Sequence, residues 1–246
     1  TVTKFKYVAT NNGDDEVSGD LDFSSFTALT ECEMNYSKLD NLNWLSTFPN
    51  TITKISCTSN DLYQMELPST FPTYTNLTHC NLANGGLKGT IPNIGHLTSL
   101  RVFKVEGNIW GGFEGASSWR GRLLSRHSIA TTNFGAGTTG YTGLTAVASD
   151  FAIPDTLEQL TVNLNGLSPT QLNIILLACV NQNPVGGVYK LKVLKLTDQA
   201  NGGNTLDSTG LGYKTTLTTR TNQGESGSNI LDFKSGNKTT GDGVLI

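Results

Sequence analysis

With 246 residues the chain has the length for one large domain or two small ones, and for a substantial buried core. Charged residues make up only 15% and hydrophobic ones 37%, with 27 Gly and 7 Pro, which favours turn-rich β or solenoid architecture over a helical bundle. The net charge of −3 includes no basic block and no apolar run reaches membrane-span length, so neither nucleic-acid binding nor membrane insertion is expected.

Taken in chain order, the first predicted element is a strand around Val2, Phe5 and Tyr7. No charged-then-apolar leader precedes it, and the chain opens at Thr1 in mid-pattern, so a processed or incomplete chain is expected. Asn11–Glu16 gathers three acids near a turn without the alternating spacing of a calcium loop, and reads as a solvated loop.

From residue 29 a spacing of apolar residues recurs, L-x-x-L-x-L-x-x-N-x-L. Its copies are Leu29, Cys32, Met34 and Leu39, with Ser37 in the Asn slot, and Ile52, Ile55, Cys57, Asn60 and Leu62. Leu77, Cys80, Leu82 and Leu87 follow with Gly85 in the Asn slot, then Leu100, Phe103, Val105, Asn108 and Trp110. A poorer copy uses Leu124, His127, Ile129 and Phe134, with Thr132 in the Asn slot. The last two are Leu157, Leu160, Val162, Asn165 and Leu167, and Leu191, Leu194 and Leu196 with Gln199 in the Asn slot. Starts at 29, 52, 77, 100, 124, 157 and 191 give steps of 23, 25, 23, 24, 33 and 34 residues.

Each copy predicts a short strand whose apolar residues alternate inward, followed by a turn where the Asn side chain bonds backbone. One copy cannot bury its own apolar face, but stacked copies bury a continuous core and align their strands in a parallel sheet. The spacing and the first four steps resemble leucine-rich repeats, while the last two steps are too long for that range. The expected fold is therefore an α/β solenoid of seven or eight right-handed turns, spanning residues 1–222 with an irregular insert at about 111–156. A polar, Gly-rich cap or tail would follow over 223–246.

Two stretches add to the resemblance. Leu87-Lys-Gly-Thr-Ile91-Pro92-Asn-Ile94 is similar to the L-x-G-x-I-P segment of plant-type leucine-rich repeats, which implies a second short strand there. Ser168-Pro169-Thr170-Gln171 is a helix start, with Ser as N-cap, Pro at the first helical position and Gln three residues after the cap. Leu172, Ile175, Leu176, Cys179 and Val180 then predict one buried stripe, so the long steps are repeats that carry a full helix, as in ribonuclease-inhibitor-like members. Residues 155–222, with this helix, the Lys190–Leu196 strand and a Gly-rich turn at Asn201–Gly212, resemble segments of bacteriophage tail and fibre proteins.

No catalytic constellation is expected. Gly135-x-Gly137-x-x-Gly140 has the letters of a dinucleotide fingerprint but lacks a following helix start, and reads as a loop. His79, His96 and His127 belong to no metal-ligand spacing: His127 occupies a core slot and His79 faces solvent. Cys32, Cys57, Cys80 and Cys179 all fall on buried positions and read as reduced core thiols, although a disulfide between successive turns is conceivable. The Asn-x-Ser/Thr sequences at Asn35, Asn76 and Asn237 carry meaning only in a glycosylating host.

The surface with a reason to bind is the outward face of the strands. Its expected middle column is Glu33, Ser56, Asn81, Lys104, Ser128, Thr161 and Lys195. The flanking column is Glu31, Lys54, His79, Val102, Arg126, Gln159 and Val193. The candidate binding residues are Glu31, Glu33, Lys54, His79, Asn81, Lys104, Arg126, Gln159 and Lys195. Trp110 and Trp119, with Arg120, Arg122 and Arg126, form a second candidate, since Trp and Arg dominate binding hot spots. With no cofactor or metal, the expected function is a non-enzymatic virion module of a tail, fibre or receptor-binding assembly. Its partners would be other virion proteins, or a protein or glycan at a cell surface. The alternative is a bacterial surface or secreted adhesin of the same fold.

Overall fold

The computed structural model describes residues 1–8, 17, 19–37, 39–60, 62, 65–108, 143–163, 165–196 and 206–219. Among the described residues nine strands are separated by longer connecting segments: β1 Lys4–Val8, β2 Glu31–Asn35, β3 Lys54–Ser56, β4 His79–Asn81, β5 Gly89–Ile91, β6 Val102–Lys104, β7 Leu144–Val147, β8 Gln159–Thr161 and β9 Val193–Lys195. Seven of them form one sheet in the order β1-β2-β3-β4-β6-β8-β9, every neighbour parallel. The protein is thus of α/β character, with a parallel sheet whose strand order follows the chain.

The register of the sheet is set by the expected apolar slots. Phe5, Cys32, Ile55, Cys80, Phe103, Leu160 and Leu194 are aligned across the strands. From Cys32 to Leu194 these side chains are at most 1% exposed. Their neighbours on each strand point the other way, so β2 alternates half-buried and buried along its length. On the inward face the described connecting residues join the strands in one core cluster that runs from Phe23 to Leu217. The first connections contribute an aromatic stack: Phe23 lies 4.7 Å from Phe48, and Trp44, fully buried in a 3-10 turn at Asn43–Ser46, meets Phe48 edge-on.

Buried backbone at both ends of the strands is satisfied by repeated devices. At the entry, Thr53 and Thr78 donate their hydroxyls to Thr30 O and Thr53 O, each at 2.8 Å. At the exit, the fully buried Asn60, Asn108 and Asn165 donate to the carbonyls of Met34, Val105 and Val162 at 2.6, 2.7 and 2.8 Å. One residue before each of the first two lies a corner of left-handed backbone: Ser59 at φ 57° and Gly107 at 69°, with Tyr36 at 60° and Asn84 at 59° in the equivalent places of their copies. Their N–H groups bond to Ala83, Asn163, Thr58 and Glu106 carbonyls respectively, one strand further on.

Two expectations about the strands change. Val102 pairs directly with Gln159, so no strand from the copy expected at Leu124–Phe134 stands between β6 and β8. That copy mismatches its slots with His127 and Thr132, and residues 109–142 lie outside those described. The irregular insert expected at about 111–156 is regular at its end: β7 pairs with β5, the second strand expected after Leu87, in a two-stranded parallel sheet.

The helix start is met, with a different partner. Helix α1, Pro169–Val180, begins at the Ser168 cap, but the Gln171 side chain accepts from Val147 N at 2.6 Å, tying the helix to β7. Its buried side chains are Leu172, Ile175, Leu176, Ala178 and Cys179, with Val180 only half-buried. The end of the Gly-rich stretch Asn201–Gly212, expected as a turn, belongs to helix α2, Ser208–Thr219, while 201–205 lie outside the described residues. Asp207 caps it by accepting from Gly210 N at 2.9 Å, and its carboxylate also receives both bonds from the Asn173 amide of α1.

Close approach of the two helices explains one glycine. A Cβ on Gly210 would overlap the Asn173 side-chain oxygen and come within 2.9 Å of Leu206, whereas a Cβ on Gly212 meets open space. Gly210→Ala is expected to destabilise the fold by about 1–3 kcal/mol despite its better helix propensity. Gly212→Ala should instead stabilise it by up to about 1 kcal/mol. Urea unfolding of the two variants, read side by side, checks the opposite signs.

Candidate functional site

Parallel pairing turns the strand residues opposite the apolar slots into rows, in which Ser56 and Thr161 are buried. One runs Lys4, Glu31, Lys54, His79, Val102, Gln159 and Val193; the next runs Lys6, Glu33, Ser56, Asn81, Lys104, Thr161 and Lys195. The candidate residues Glu31, Glu33, Lys54, His79, Asn81, Lys104, Gln159 and Lys195 are thereby brought onto one face. Arg126 and Ser128 have no place in these rows, which pass from β6 to β8, and both lie outside the described residues. So do Trp110, Trp119, Arg120, Arg122, His127, Asn237, the Gly135–Gly140 stretch and the acids of Asn11–Glu16.

Lys4 and Lys6 were missed as members of the face, although the alternation with Phe5 and Tyr7 carried the signal. They matter because they pair with acids next door: Lys4 lies 2.9 Å from Glu31 and Lys6 3.2 Å from Glu33. The bond from Lys4, opposed by burial, holds the Glu31 carboxyl below its ordinary value. The other Glu33 oxygen accepts from Asn35 Nδ2 at 2.9 Å, and Asn35 Oδ1 accepts from Ser56, Thr58 N and Thr58 Oγ1 at 2.9–3.1 Å. Asn35, noted only as a glycosylation sequence, is thus a buttress beside the face.

His79 is exposed on β4, and its Nδ1 lies 2.8 Å from the Thr78 hydroxyl. Partial burial and then the positive charges of Lys54, Arg101 and Lys104 push it below the ordinary histidine value, with Glu158 opposing. Arg101 and Glu158 pair with each other at 3.4 Å along the edge of the rows. His96, by contrast, is half-buried with its Nε2 2.9 Å from Phe71 O, a role in structure.

All four cysteines are free and buried. Burial pushes the Cys32 thiol up to about 12 and raises Cys57 and Cys80 well above the ordinary range. Cys32 and Cys80 flank Ile55 on neighbouring strands, so their Cα atoms lie about 10 Å apart, beyond disulfide reach. At pH 8, alkylation of Cys32 in the native chain should be about a thousandfold slower than in urea. Because folding raises these values, their contribution to stability is complete below about pH 9 and is lost as pH climbs toward 12. Urea midpoints of the reduced protein should therefore fall between pH 8 and pH 10.5.

Among the described residues no group of three or more His, Cys, Asp and Glu could hold a metal ion, and no helix is long and apolar enough to cross a membrane. Comparison with protein-family models and with curated proteins gives no match to this chain.

Proposed function

We propose that the chain is a leucine-rich-repeat solenoid acting without catalysis as a recognition or assembly module of a virion, in a phage tail, fibre or receptor-binding assembly. The polar rows on the face of the seven-stranded sheet opposite the core cluster carry this reading. Layered α/β proteins cover both faces of a parallel sheet, while stacked repeats leave one face free for a partner. Strands paired in chain order, one buried Asn per exit in three copies and left-handed corners in four support the repeat assignment.

The virion context rests on the likeness of residues 155–222 to phage tail and fibre segments. Reduced, buried thiols at Cys32, Cys57 and Cys80 suit a chain folded in a reducing compartment before assembly, and favour it over a secreted adhesin. The partners are then other virion proteins, or a protein or glycan on a cell surface. Mass spectrometry of the native assembly that contains the chain tests this. Capsid or tail proteins in stoichiometric amounts are the expected companions; cell-envelope proteins, or a longer chain with a secretion signal, would replace the virion reading with an adhesin.

A further inference from the structure

Charge on the open face is segregated. At the β1–β2 end both acids of the two rows are matched by Lys4 and Lys6 at 2.9 and 3.2 Å. Past β2 the same rows contain Lys54, His79, Lys104 and Lys195 and no acid. Lys54 has Glu31 beside it in register on β2, while outside the rows Glu158 is paired with Arg101 and Glu106 follows the end of β6. His79 stands beside Lys54 and Asn81 beside Lys104, so the two lysines lie two strands apart, about 10–12 Å, with an imidazole and an amide between. His79 is held below the ordinary histidine value first by partial burial and then by the neighbouring Lys54, Arg101 and Lys104.

The apolar content of the rows narrows the ligand. Only Val102 and Val193 are apolar, and no aromatic side chain stands in either row. A protein partner would lack the aromatic or aliphatic anchor of a hot spot, and a neutral sugar would lack a stacking platform. A ligand rich in hydroxyls and carrying carboxylates needs neither. We propose that the face from β3 to β9 binds an acidic polysaccharide, with Lys54 and Lys104 holding its carboxylates and Asn81 and Gln159 bonding its hydroxyls. This rests on the reading of the sheet face as a recognition surface.

Calorimetric titration of the full chain with polygalacturonate oligomers tests it. Binding that weakens with salt is expected, about tenfold weaker in Lys54→Gln/Lys104→Gln and unchanged in Lys88→Gln, which lies off the face. Glu31→Gln/Glu33→Gln, which releases Lys4 and Lys6, should tighten it. Unfolding curves matching the parent keep these comparisons valid, since all the substituted side chains are at least partly exposed. Equal affinity for polyglutamate, or indifference to the double lysine change, would overturn the proposal. If polygalacturonate fails while a native companion still shields Lys54 and Lys104 from acylation, the ligand class is wrong and the recognition surface stands; with no shielding, both fall.

Discussion

Asn108→Leu should cost about 3–5 kcal/mol, a large part of the roughly 5–15 kcal/mol that stabilises an ordinary domain. The Asn108 oxygen accepts from Gly85 N at 3.0 Å and Leu87 N at 3.1 Å, across to the previous copy, and the residue is fully buried. Leucine fills a similar volume but leaves two buried N–H groups without a partner. The Val105 carbonyl is less affected, because Asn165 also donates to it at 3.0 Å. The loss is read as a lower urea midpoint with an unchanged slope. Asn76→Leu serves as the comparison: its single bond, to Asn50 O, is exposed, and the change should stay below about 1 kcal/mol.

Gly107→Ala should cost about 2–4 kcal/mol from two sources that can be separated. Its φ of 69° is left-handed, which a Cβ makes unfavourable by about 1–2 kcal/mol. The added Cβ would also run into the Asn84 side-chain oxygen at the neighbouring corner. Asn84→Gly removes that obstacle and suits a residue itself at φ 59°. The double variant should therefore be more stable than the sum of the single changes implies, with a coupling of about 1 kcal/mol or more. A strictly additive cycle would mean that the two corners do not touch.

These two sites also mark what the sequence could reveal. The Asn slots were legible because an amide buried at a turn is chemically demanding and recurs at fixed distance from the apolar pair, at Asn60, Asn108 and Asn165. The inward strand residues were legible for the same reason, through their period of two. The corners were not, because Tyr36, Ser59, Asn84 and Gly107 share a backbone conformation and no side-chain type. Helix α2 was hidden by its glycines, which read as turn residues until Gly210 is seen against Asn173. The copy at Leu124, for which the β6–β8 pairing leaves no place between those strands, came from a template tolerant enough to accept His127 and Thr132. On the face, Glu31 and Glu33 looked like half of a mixed charge pattern; only the register with β1 shows that they are already neutralised by Lys4 and Lys6.

The role of the open sheet is tested most directly by lysine acylation of the full chain, alone and in its native assembly or bound to its target, read by mass spectrometry. Rapid modification of Lys54 and Lys104 in the free chain, with protection of both on binding and an unchanged Lys88, is the predicted result. Protection at Lys88 with Lys54 and Lys104 still reactive would contradict it and move the contact to another surface of the molecule.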